Sequence, residues 1–109
     1  MTNRSPRDAE VRRFKEAVQE WAVRLRVRPV SVRLQPMTRK WASCSTAGRV
    51  TFSTSLLRES KRMQQYVIVH ELLHLRVPNH GRLFKRYLTL YVPDWREIAP
   101  PRRARTRTS

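Results

Sequence analysis

One cysteine, two glycines, eight acidic side chains and no apolar run longer than Tyr66–Val69 bound what this 109-residue chain can be. With Cys44 alone, no internal disulfide can form. An apolar run of four residues is far from the ~20 needed to cross a bilayer, so no membrane-spanning segment is expected. The first residues offer no apolar stretch of signal-peptide type, and the expectation is a protein of a reducing compartment, the cytoplasm. Scarce glycine together with 39% hydrophobic residues excludes both a fibrous repeat and a low-complexity polymer. The length excludes a two-domain enzyme: a chain of this size buries roughly 65% of its unfolded surface, enough for one modest core.

Cations are plentiful. There are 24 Lys and Arg against 8 Asp and Glu, a formal net charge of +16, and all but Lys15, Lys40, Lys61 and Lys85 are arginine. Such a surplus repels itself and attracts polyanions, making nucleic acid, an anionic membrane surface or a phosphorylated substrate reasonable partners without selecting among them.

The hydrophobic period organises the chain. Ser5-Pro6-Arg7-Asp8 supplies a cap hydroxyl, a proline in the first helical position and an acid three residues on. Val11, Phe14, Val18, Trp21 and Leu25 then mark one helical face, ended before Pro29. From Val30 the period becomes two, through Val32 and Leu34. Two further alternating runs, Lys40 to Ser45 and Arg49 to Ser53, flank Thr46-Ala47-Gly48, where glycine suits a turn. These predict a small three-stranded antiparallel sheet. Ser60 caps a second helix to about Arg76, which Pro78 ends. Asn79 is expected to cap a third helix, with Leu83, Phe84, Tyr87, Leu88 and Tyr91 facing inward. The predicted class is α+β: an N-terminal helix, the sheet, a histidine-bearing helix and a C-terminal helix. Residues 1–5 are expected to be flexible, 6–97 to form the domain, and 98–109 to be a disordered basic tail, with four arginines and no large apolar residue from Pro100 on.

All three histidines lie in His70-Glu71-Leu72-Leu73-His74-Leu75-Arg76-Val77-Pro78-Asn79-His80, an HExxH followed by a third histidine six positions on. Residues four apart on a helix share a face ~5–6 Å apart at Cβ, so His70 and His74 can converge on one ion. The break at Val77-Pro78-Asn79 can return His80 to the same face. Three protein ligands leave a fourth position for water, and Glu71, beside the first ligand, is placed to take that water's proton. Nitrogen ligands suit zinc, and also manganese, cobalt or nickel. Two other readings stand beside this one: core histidines satisfied by hydrogen bonds, or a closed structural zinc site with Cys44 as fourth ligand.

Residues Tyr66 to His80 resemble the YgjP-like branch of zinc metallopeptidases, related to the SprT-like and minimal gluzincin domains. Lys40-Trp41-Ala42-Ser43-Cys44-Ser45 is similar to that family's Arg-Trp-Gly-Ser-Cys-Ser segment, with Lys40 for arginine and Ala42 for glycine, and Val92-Pro93-Asp94-Trp95 resembles its Pro-Asp-Trp segment. The resemblance covers residues 38–97. It implies one zinc ion held by His70, His74 and His80, with Glu71 as the catalytic acid/base and a protein or peptide as substrate. It also implies a strand beside the metal, where Ser43 or Ser45 orients substrate, while Trp41 and Cys44 read more simply as core residues. The third strand, with Thr51 at its centre, is a candidate edge for an extended peptide. Tyr87 and Arg82 are the candidate oxyanion donors. Arg102, Arg103, Arg105 and Arg107 are candidate phosphate contacts. A phosphate-ester or nucleotide hydrolase, and a non-catalytic zinc-stabilised nucleic-acid-binding module, are the alternative functions that the charge suggests.

Overall fold

The structure is a computed structural model that describes residues 6–98. Helix α1 spans Pro6–Leu25 and buries Phe14, Val18, Trp21, Ala22 and Leu25, with Val11 half-buried, as the apolar period predicts. It stops earlier than Pro29 requires. Val27 N–H donates to Ala22 O at 3.0 Å and Arg26 N–H to Val23 O at 3.2 Å. Arg26 takes the left-handed φ of 60° that this C-terminal closure demands. Val27 is then buried, so a local motif ends the helix before the proline acts.

Strands β1 (Ser31–Gln35), β2 (Ala42–Cys44) and β3 (Arg49–Ser53) form one sheet in the order β1-β3-β2. The sheet is mixed, which corrects the antiparallel expectation: β1 runs parallel to β3 and only β2 is antiparallel to it. The β2–β3 turn is the expected hairpin, closed by Gly48 N–H donating to Ser45 O at 3.0 Å, with Gly48 at φ 89°. The segment between β1 and β2 carries the chain past the place that β3 then fills. Apolar residues explain that choice, since Val50 and Phe52 are fully buried and the strand carrying them takes the middle. Val30, expected to start the strand inward, is two-thirds exposed and lies against Gly48.

A short 3-10 helix, Thr54–Arg58, follows β3 and was not predicted; Ser53 caps it, its hydroxyl accepting from Ser55 N–H at 3.2 Å. Helix α2 (Lys61–Leu73) starts at the predicted Ser60 cap, whose Oγ accepts from Met63 N–H at 3.1 Å. It buries Met63, Val67, Ile68, Val69, Leu72 and Leu73, apolar on most of its circumference, and packs on α1, β2 and the following helices. Helix α3 (Arg82–Tyr91) is capped by Gly81 rather than by Asn79, because the chain between them turns to bring in His80. Phe84 and Leu88 form its buried face and Tyr87 and Tyr91 its flanks, while Leu83 is 56% exposed, since residues one apart cannot share a helical face. A four-residue helix α4 (Trp95–Ile98) then folds back on α2, tied to it by an Asp94–Arg62 ion pair and to α3 by Trp95 Nε1 donating to Thr89 Oγ1 at 3.0 Å.

Candidate metal centre

The two histidines of α2 occupy its last turn and its C-cap, His70 inside the helix and His74 at its end. Beyond it, Arg76 N–H and Val77 N–H both donate to Leu73 O, at 2.9 and 2.7 Å, so the chain makes one tight turn before Pro78. That turn delivers His80 back over the helix. The nearest ligand atoms of His70, His74 and His80 all lie within 4.8 Å of one another. Zinc–nitrogen bonds of ~2.0–2.1 Å at tetrahedral angles set ligand nitrogens ~3.4 Å apart, so holding the ion would draw the imidazoles closer together. The donor set therefore fits a single cation of borderline softness.

Burial favours the neutral, ligating form of His74 and His80. Burial lowers the pKa of His74 and of His80, and in each case a neighbouring imidazole adds to the effect against the opposing charge of Glu71. His74 Nδ1–H donates to Pro78 O at 3.2 Å, leaving Nε2 with its lone pair. His70 Nδ1 lies 3.3 Å from Glu71 Oε2, and the tautomer that donates Nδ1–H to this oxygen leaves Nε2 with its lone pair.

Glu71 is 7% exposed and is one of only two buried polar residues among those described. A cleft of about 320 Å³ opens between α2 and β2, with Glu71 and His74 on one side and Lys40 with residues 42–46 on the other. Because Ser53 N–H donates to Trp41 O at 2.8 Å and Ser45 N–H to Arg49 O at 2.9 Å, odd-numbered residues of this strand pair with β3. Alternation turns the N–H and C=O groups of Ala42 and Cys44 away from β3, to the edge of the sheet that borders the cleft.

Ser43 and Ser45 thus line the cleft, the latter also accepting from Arg49 N–H at 3.2 Å. Thr51 does not. It sits on the central strand, paired with Arg33 on one side and Ser43 on the other, so β3 is no edge and has no free ladder groups for a peptide. Arg82 is exposed at the start of α3, and Tyr87 is half-buried with the Arg76 guanidinium 5.5 Å from its ring centre; neither lines the cleft. Cys44 borders the cleft but does not join the histidine cluster, so these side chains do not form the closed four-ligand site. Burial, then the Glu71 charge, raises its pKa and keeps it a thiol. Trp41 is half-buried against the core, as expected of an anchor. The candidate phosphate contacts Arg102, Arg103, Arg105 and Arg107, the flexible N-terminus and all of the expected tail but Ile98, which ends α4, lie outside the described residues.

Two aromatic residues at the centre went unread as site residues. Tyr66, one turn ahead of His70 on α2, lies tilted against its ring at 5.7 Å, and burial followed by the Glu71 charge raises its pKa. The i−4 spacing from His70 was the available signal. Phe84 had been read only as the inner face of α3.

Residues 4–100 match the family described as YgjP-like, metallopeptidase domain. Among solved structures, the chain is similar to the metallopeptidase zymogen of Methanocaldococcus jannaschii jannalysin, at 26% identity over 72% of this chain and 80% of that one, with a TM-score of 0.66. It shares its fold with the metallopeptidase zymogen of Pyrococcus abyssi abylysin, at 23% identity over 78% and 87%, with a TM-score of 0.70. No protein with a curated description matches the chain.

Proposed function

The chain belongs to the YgjP-like metallopeptidase family, and from that membership we propose that it hydrolyses peptide bonds with one zinc ion held by His70, His74 and His80 and with Glu71 as general base. The observation that carries this reading is the convergence of three imidazoles beside a buried carboxylate residue that lines a cleft. When bound, zinc supplies Lewis acidity and brings the loss of a water proton down to about neutral pH. Glu71 takes that proton as the water oxygen adds to the scissile carbonyl carbon, and returns it to the amine nitrogen as the C–N bond breaks. Its low exposure, 7%, keeps bulk water from competing for the proton.

The cleft suits an extended main chain. The outward N–H and C=O groups of Ala42 and Cys44 are positioned to accept a peptide as a further strand, which would pass its carbonyls in front of Glu71 and His74. Ser43 and Ser45 line the same wall and are the remaining candidates for orienting substrate. A phosphate-ester substrate has less to hold it, since Lys40 is the single Lys or Arg in the lining.

Glu71→Gln keeps the shape and removes the base. The zinc-loaded variant should retain parental metal content and lose hydrolysis of a peptide library by roughly 10²–10⁴-fold, while His80→Ala should lose the metal itself. Parental turnover by metal-replete Glu71→Gln would end this reading.

A further inference from the structure

We propose that Phe84 is a positioning residue of the metal centre, its phenyl ring being the surface against which all three imidazoles are set in the metal-free protein. The inference rests on the zinc reading above and adds a residue that is neither ligand nor base. Phe84 is 1% exposed and comes from α3, whereas the ligands come from α2, its C-cap and the turn that follows. Its ring centre lies 5.2 Å from that of His70, 4.9 Å from His74 and 4.8 Å from His80. The planes meet at 72° and 75° for His70 and His80 and at 35° for His74, two edge-on contacts and one tilted towards stacking. Both arrangements, and all three distances, lie in the range aromatic pairs prefer.

The need for such a surface is physical. Three neutral imidazoles aimed at one point bring their nitrogen lone pairs together, and without an ion that convergence is unfavourable. His70 and His74 each have a hydrogen bond to hold a ring nitrogen, but His80 is exposed and makes none among the described residues. Ring contacts with His70, His74 and Phe84 are what orient it. Tyr66 cannot substitute, since it meets only His70. A leucine at position 84 fills much of the space yet offers no flat face, so it separates packing from positioning.

The test compares Phe84→Leu with Phe14→Leu, a second buried phenylalanine that packs on Phe52 and makes no ring contact with a histidine. Zinc affinity is measured by chelator competition, the visible absorption of the cobalt(II) form reports ligand geometry, and thermal unfolding of the metal-free proteins reports stability. Phe84→Leu should weaken zinc binding by roughly 10–100-fold, as loss of outer-shell support does elsewhere, and alter the cobalt band. Phe14→Leu should lower the melting temperature and leave both metal readouts at parental values. Should Phe84→Leu fail to fold, Phe84→Met refills the volume and carries the same expectations. Parental affinity and spectrum in the Phe84 variant, or an equal loss in Phe14→Leu, overturns the positioning role while the zinc reading stands. If the parent takes up no metal, the zinc reading falls and this role falls with it.

Discussion

Glu71 and the three histidines put four titratable groups within one helix end and one turn, and their surroundings decide which charges survive there. Burial holds the pKa of His74 and His80 below the ordinary 6.5. In the unfolded chain the same imidazoles take up protons near 6.5, so below that pH the unfolded state binds more protons than the folded one and stability rises with pH. The melting temperature of the metal-free protein should therefore fall as pH is lowered through 6.5, and the slope should flatten in a His74→Asn, His80→Asn double variant. An unchanged slope in that variant would place the dependence on other groups. The residue types and their spacing were legible because a ligand set needs fixed chemistry at fixed helical positions. The Pro78 carbonyl that sets the His74 tautomer, and the Phe84 ring, were not, since Pro78 lies in the turn beyond α2 and Phe84 on α3, where the period of one helix does not fix the contact.

At the scale of elements, α1 ends on a device with an avoidable steric penalty. Arg26 is the one non-glycine residue with positive φ among those described, and an L side chain in that region costs ~1–2 kcal/mol. Arg26→Gly removes the clash, offset in part by the greater freedom of glycine in the unfolded chain. A net gain of about 0.5 kcal/mol is expected in urea unfolding with an unchanged m-value; a loss would show that the Arg26 side chain contributes more than its backbone costs. Helix caps at Ser60 and the strand of residues 49–53 were readable from local chemistry. Strand order was not. A strand's own period says which face is buried, but not that β1 and β2, both earlier in the chain, would pair with the two opposite edges of β3.

Across the whole molecule, Arg76 ties three helices near the metal centre. Its Nη1 donates to Leu25 O at the end of α1 at 3.1 Å, and its guanidinium stands over Tyr87 of α3 while its backbone belongs to the turn after α2. A cation at a helix C-terminus is favourable, and a hydrogen bond to a charged donor contributes ~1.5–3 kcal/mol. Arg76→Met keeps the aliphatic stem and should lower stability by about 1.5 kcal/mol in urea unfolding; an unaltered midpoint would mean that packing of the stem, not the charged head, joins the helices. The +16 charge acts in the opposite sense. Self-repulsion opposes the compact state and is screened over ~10 Å at 0.1 M salt, so raising sodium chloride from 10 to 300 mM should raise the melting temperature of the metal-free protein. A falling melting temperature would show that attractive pairs outweigh the repulsion.

Sequence by itself determined the candidate ligand types, the buried faces of the helices and the family likeness, because each of these is written in spacing that one helix or one turn reads out locally. Only the tertiary structure decided that β3 lies inside the sheet, that β2 offers the free edge at Glu71, and that a phenylalanine from α3 meets all three histidines. Those depend on which surfaces meet when distant segments compete for the same apolar partner, and no window along the chain contains that competition.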